Sequence, residues 1–264
     1  MQAILDNNKK SRRSAETLLF LLFVLIFVVI TIGGAVVFFL FSGAELPTNS
    51  LVADVQETDK RIVILDAGHG GEDGGAVGTD GTKEKDLNLD LTLTLASQLR
   101  AAGVTVILTR EDDRLLYDKN VDYAGQKKQL DLASRLQISE RVKKEYPNTE
   151  ILFVSIHMNS FPSASAQGFQ VWYSGNDPVS KDFAMAVQET VSEHLQQKKK
   201  REAKLSGSNI YLLDRAVLPS ILVECGFLSN PEECSLLSSE EYRKRIAFSL
   251  FVSILNYRFP EVQS

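Results

Sequence analysis

The spacing of apolar and polar positions changes character three times along the 264 residues. From Leu18 to Phe41 there are 24 consecutive residues without a charge and with one hydroxyl, Thr31. As a helix that run rises about 36 Å, more than the roughly 30 Å of a bilayer's hydrocarbon core, and it predicts a transmembrane anchor over 18–41. A cleaved signal peptide is the rival reading, because Ser42-Gly43-Ala44 offers small residues at which to cut. Signal h-regions span only about 7–15 residues, so the uncleaved anchor is preferred. Lys9, Lys10, Arg12 and Arg13 precede the run, and Glu45, Asp54 and Glu57 follow it. That asymmetry places the tail 1–17 in the cytoplasm and the rest of the chain outside the membrane. Residues 42–60 are polar, include Pro47, show no apolar period and suit a linker.

From Arg61 onward, short apolar runs alternate with stretches of helical period. Ile62–Leu65, Val104–Leu108, Ile151–Ile156, Phe169–Tyr173, Ile210–Leu213 and Ser220–Val223 read as strands. Helices are predicted over Leu87–Leu99, Leu130–Val142, Val179–Leu195 and Glu240–Tyr257. Strands separated by such helices imply right-handed crossovers, hence an α/β domain over 61–258 with a mostly parallel sheet of about six strands and helices on both faces. Residues 259–264 are a tail. Glu111–Gln129 is a long, charged, poorly patterned loop, of the kind that is functional or mobile. Lys198-Lys199-Lys200-Arg201 reads as a solvated helix end.

Charge and cysteines narrow the classes. The net charge of −5 divides into about +2 over residues 1–17 and −7 over the remainder. An acidic body argues against a nucleic-acid binder. The two cysteines, Cys225 and Cys234, lack the spacing of a metal knuckle. They are able to pair outside the cytosol, although Cys225 ends an apolar run where a buried free thiol is the preferred reading.

The chemistry concentrates at predicted strand ends. Asp66-Ala67-Gly68-His69-Gly70-Gly71 follows the first strand, and His157 closes the Ile151–Ile156 run with Asn159 just beyond. Taken alone, either histidine is as readily a structural group. Yet only three histidines exist, two of them end strands of one sheet, and ligands of open α/β sheets bind there. The third, His194, reads as a surface residue. Glu84, in Lys83-Glu84-Lys85-Asp86, is either a first-turn acid favoured by the helix dipole or a carboxylate folded back toward His69. Two imidazoles and one carboxylate make the open shell of a catalytic zinc site. Glu224 ends the apolar run Ile221-Leu222-Val223, where a lone acid must be paired, bound to metal or used in chemistry. Burial raises its pKa toward the range useful for moving a proton.

These segments resemble the zinc-dependent N-acetylmuramoyl-L-alanine amidases of the amidase-3 type. The resemblance runs from about Arg61 to Tyr257. It rests on the Asp-x-Gly-His-Gly-Gly block, Glu84-Lys85-Asp86 with Leu89, Thr109-Arg110 with Asp113, Ser155-Ile156-His157-Met158-Asn159, and Pro219 through Glu224-Cys225-Gly226-Phe227-Leu228-Ser229-Asn230. It implies one zinc ion on His69, Glu84 and His157, with Glu224 as catalytic acid/base, and peptidoglycan as substrate. The chain departs from the pattern at Ala67, where proline is usual, at Cys225, and in the residues after Arg135. The single anchor, the 111–129 insertion and the lack of a wall-binding domain are most similar to membrane-anchored spore-cortex, germination-type amidases. The expected setting is an extracytoplasmic body, or one on the outer side of the forespore membrane, and a protein activator is a candidate partner. Another zinc hydrolase of wall fragments, a carboxypeptidase or deacetylase, stays open as an alternative, as does a non-catalytic wall-binding or activator protein.

Overall fold

Six strands build one sheet in the order β2-β1-β3-β6-β4-β5. They are β1 (Ile62–Ala67), β2 (Thr105–Leu108), β3 (Ile151–Asn159), β4 (Gln170–Tyr173), β5 (Lys204–Leu205) and β6 (Ser220–Phe227). The computed structural model describes residues 61–117, 126–196 and 200–260. The expected tail 1–17, anchor 18–41 and linker 42–60 lie outside the described residues, as does the tail 261–264. Among the described residues, no helix is long and apolar enough to cross a membrane.

β1, β2, β3 and β6 run parallel, but β4 is antiparallel to β6, and β5 follows β4. The sheet is thus mostly parallel, as expected, with one antiparallel pairing, β4 with β6. The cause is readable: residues 160–169 join β3 to β4 without a helix, so no crossover returns the chain to the starting end. Alternation along the strands feeds two layers. Val63 and Leu65, with Leu152, Val154 and Ile156, pack against one set of helices. Ile62, Ile64, Ile151 and Phe153 pack against the other.

The larger layer holds α1 (Glu84–Ala101), α3 (Pro178–His194), α5 (Pro231–Ser238) and α6 (Glu240–Asn256). α1 buries Leu87, Leu91, Leu95 and Leu99, a stripe at four-residue spacing. Asp177 caps α3 through Val179 N (2.9 Å), with Pro178 in the first turn where its missing N–H costs nothing. α5 was not anticipated, although Asn230-Pro231-Glu232-Glu233 is a start signal: the Asn230 Oδ1 accepts from both glutamate N–H groups. The hydrophobic run that hides it is only Leu236-Leu237.

The opposite face carries α2 (Lys127–Glu145) and the short α4 (Tyr211–Asp214). The strand expected at Ile210–Leu213 is this helical turn. Four apolar residues are too few to set a period, and the edge position is filled by β5 instead. α2 also corrects the pattern reading: its buried face is Asp131, Arg135, Ser139 and Val142, while Leu132, Leu136 and Ile138 are half-buried. Arg201 is no solvated helix end. It lies past the end of α3, donates to Gln167 O (2.8 Å) and stacks over Phe227. Cys225 and Cys234 are both free and buried, and His194 is exposed.

Candidate metal centre

The strand face that meets α2 turns polar and charged toward the carboxyl ends: Ile62, Ile64, Asp66 on β1; Phe153, Ser155, His157 on β3; Leu222, Glu224 on β6. Period two puts each series on one side of the sheet. The polar ends meet in a cleft of about 220 Å³ between the sheet, α2 and α4.

β1 ends at Ala67 and the chain turns through Gly68-His69-Gly70. His69 has φ 62°, a left-handed conformation uncommon outside glycine and costly by about 1–3 kcal/mol. Four surrounding cation contacts hold it there. Arg135 Nη2 donates to His69 O (2.7 Å), Arg110 Nε to Ala67 O (2.9 Å), Arg110 Nη2 to Gly68 O (3.0 Å) and Lys85 Nζ to Gly71 O (2.8 Å). Behind the loop, Arg135 pairs with fully buried Asp66 (2.5 Å) and with Asp131 (2.8 Å). Asp66 also accepts from Thr109 Oγ1 (2.7 Å) and Ser155 Oγ (2.6 Å). Burial pushes the Asp66 pKa up, but Arg135 and the two hydroxyls outweigh it and hold the carboxyl below its ordinary range.

Three donors converge above this base. One nitrogen or oxygen from each of His69, Glu84 and His157 lies within 4.8 Å of the others. Glu84 Oε1 stands 3.2 Å from His69 Nε2 and 3.0 Å from His157 Nδ1, and the two rings meet edge-on at 5.0 Å. Glu84 is aimed by its neighbours: Oε1 accepts from Met158 N (3.0 Å) and Asn88 Nδ2 (3.2 Å), and Oε2 from Ala76 N (2.8 Å). Its burial opposes ionisation, yet the hydrogen bonds and charge of the two histidines drive its pKa far below the usual carboxylate range. His69 Nδ1 bonds Asp73 Oδ2 at 2.8 Å, which fixes the ring and turns Nε2 inward. Burial lowers the His69 pKa, but Asp73 and Glu84 overcome it and carry it to about 9. The same bond, with smaller help from Gly75 N–H, draws Asp73 down to about 2.

The glycines fit this crowding. A Cβ on Gly68 would lie 2.2 Å from the His157 ring, and one on Gly75 would lie 2.6 Å from Glu84 Oε2 and 2.8 Å from His69 Cδ2. Two imidazoles and one ionised carboxylate in a preformed cradle are the donor set of an open zinc shell, and the residues present fit that ion.

Glu224 completes the cleft. Register pairs it with His157 across β3 and β6, so both side chains face the same way. Among the described residues, its Oε2 is buried with no hydrogen-bond partner. Burial raises its pKa to about 7, with Glu84 adding to the rise and the two histidines opposing it. The structure therefore brings His69, His157 and Glu224 to one cleft, with Glu84 buried against both histidines. Sequence reasoning missed Asp73, Asn88 and the depth of Arg135. Asp73 had a weak signal, four residues after His69 in a glycine turn; Asn88 and Arg135 looked like ordinary helical positions.

An open α/β sheet with three convergent donors at its strand ends defines a candidate metal centre beside a buried acid. The chain belongs to the Amidase_3 family, described as N-acetylmuramoyl-L-alanine amidase, whose pattern matches residues 63–256. It is 32% identical over 226 residues to the germination-specific N-acetylmuramoyl-L-alanine amidase of Bacillus subtilis (strain 168), covering 86% of this chain and 92% of that protein. The structure of the CwlD amidase from Clostridioides difficile, solved in complex with the GerS lipoprotein, is 40% identical with a TM-score of 0.67. That likeness covers 74% of this chain and 96% of the CwlD chain. The catalytic domain of CwlV, an N-acetylmuramoyl-L-alanine amidase from Bacillus (Paenibacillus) polymyxa var. colistinus, is 30% identical with a TM-score of 0.62, over 75% and 97% of the respective chains.

Proposed function

We propose that this chain hydrolyses the amide between the lactyl group of N-acetylmuramic acid and L-alanine in peptidoglycan, with one zinc ion on His69, Glu84 and His157. The observation that carries the proposal is the convergence of those three donors within 4.8 Å, two of them, His69 and His157, lining the same cleft as Glu224. A zinc ion held there supplies an acidified water and polarises the scissile carbonyl. Glu224 Oε2, unpartnered and raised toward 7, takes a proton from the attacking water and returns it to the departing alanine nitrogen. One amide and one water thus become a lactyl carboxylate and a free alanine N-terminus. Asp73 and Asn88 orient, respectively, His69 and Glu84 through that sequence.

The setting we propose is a body outside the membrane, tethered by residues 18–41, with a role in spore cortex peptidoglycan. The germination-specific relative supports it, and the relative whose structure was solved in complex with a lipoprotein supports a protein partner. The decisive experiment combines zinc analysis of the purified chain with mass spectrometry of digested peptidoglycan. Free alanine N-termini are expected, E224Q keeping its zinc while turnover drops about 10²–10⁴-fold. Products that instead lack a terminal D-alanine or an acetyl group would make the chain a carboxypeptidase or deacetylase. Near-normal turnover by E224Q would remove Glu224 from the chemistry.

A further inference from the structure

The cleft has one charge left over. Asp66 and Asp131 are both satisfied by Arg135, and Asp73 is satisfied by His69. Arg135 is spent on these and on the carbonyls of Ala67 and His69. Lys128 also lines this cleft; among the described residues it makes no hydrogen bond or ion pair, and it acts only at longer range on Asp73, whose pKa it helps to lower. Its neighbour Lys127 behaves differently and pairs with Glu72 at 2.7 Å.

Lys128 stands at a defined height. It shares the inner face of α2 with Leu132 and Arg135, four and seven residues further on, so it lies about 10 Å up the helix axis from the guanidinium at the floor. The exposed first turn of α2 contains no acid that would claim it. Across from it, Ile210, Tyr211 and Leu212 make an apolar wall from α4. A ligand filling this cleft from the metal donors outward therefore meets an apolar channel and then, at the rim, an ammonium that makes no direct hydrogen bond or ion pair among the described residues.

Resting on the amidase reading above, we propose that Lys128 is a specificity residue that binds the carboxylate of the stem-peptide residue after the alanine. In that stem the alanine is followed by isoglutamate, whose α-carboxylate remains free because the chain continues through the γ-carboxyl. Some walls convert this group to the amide, isoglutamine. The apolar channel takes the alanine methyl and backbone, and the ammonium of Lys128 takes the charge one residue beyond the bond that breaks. A lysine forms a point-charge contact here, and an arginine of similar length preserves it. The contact is made equally to ground and transition states, so its loss appears in KM.

The test uses the zinc-loaded full chain and two muramoyl peptides that differ only in isoglutamate against isoglutamine. Wild type is expected to favour the acid form by about tenfold in kcat/KM, the scale of one hydrogen bond to a charged group. K128Q is expected to raise KM for the acid form about tenfold and bring the two substrates within about twofold. K128R is expected to keep most of the preference. A general structural fault would slow both substrates alike and would not be rescued by arginine. The proposal is overturned if K128Q keeps the wild-type preference, or if wild type shows none. If wild type frees no alanine N-terminus from either peptide, the amidase reading itself is wrong and this one falls with it.

Discussion

Removing the Asp66 carboxylate tests whether the loop carrying His69 is held by the buried charge pair beneath it. Asp66 is fully buried, Arg135 is almost so, and their contact is 2.5 Å. Deleting one partner of a buried pair costs about 3–5 kcal/mol, because the other charge is left uncompensated. Here Arg135 keeps Asp131 and two backbone carbonyls, so the charge term belongs at the lower end, about 3 kcal/mol. Thr109 and Ser155 lose their acceptor as well, adding about 1 kcal/mol between them after they turn to other partners. D66A is therefore expected to lose about 4 kcal/mol, roughly 8–16 °C in Tm for a body of this size. The pH dependence supplies a second readout. The folded pKa of Asp66 is lowered, so its stabilisation is present above the unfolded value near 3.8 and is lost as pH falls through the lower folded value. Wild type should thus lose this contribution on acidification below about pH 4, whereas D66A should show a shallower acid limb. Urea and thermal unfolding across pH 2–7 measure both effects. A D66A variant within 0.5 kcal/mol of wild type by those curves (~0.5 being the ordinary surface scatter) would show that the pair does not hold the loop.

Other expectations follow from the same geometry. G68A places a methyl 2.2–2.6 Å from atoms of the His157 ring, so the ring must swing away; zinc affinity, read by competition with a chelator, should drop at least about tenfold with Tm little changed. H157A should release the metal outright, and a chelator should silence wild type until zinc is restored; activity that survives exhaustive chelation would exclude a metal centre. In the metal-free chain, Glu224 has its folded pKa raised from 4.5 to about 7, so stability should fall as pH climbs through that window and level off above it. The E224Q chain should lack that slope, and an equal slope in both would place the titration elsewhere.

The glycine–histidine turn, the second strand-end histidine, the first-turn Glu84 and the acid ending an apolar run were all visible in the chain, since each stands at a pattern break. The four long helices and the strands β1, β2, β3, β4 and β6 were visible too, because period 2 and period 3.6 are local properties. What escaped was whatever a neighbouring element decides. Ile210–Leu213 has the composition of a strand, but the edge of the sheet is taken by Lys204-Leu205. β4 runs antiparallel because of what its connection lacks, which no residue within β4 records. α2 buries Asp131 and Arg135 in place of its leucines because Asp66 and the carbonyls of Ala67 and His69 wait beneath it.

By itself, then, the sequence determined which residues have the chemistry to bind a metal and move a proton, and which stretches are strand or helix. Only the tertiary structure decided that His69, Glu84 and His157, the outer two 88 positions apart, bring their donors within 4.8 Å of one another. It alone decided that Asp73 turns one ring, that two arginines hold a left-handed histidine, and that Lys128 makes no direct ion pair among the described residues. The physical reason is range. Periodicity and propensity act over a few residues, whereas donor geometry, desolvation and charge balance are sums over everything that packs around the cleft.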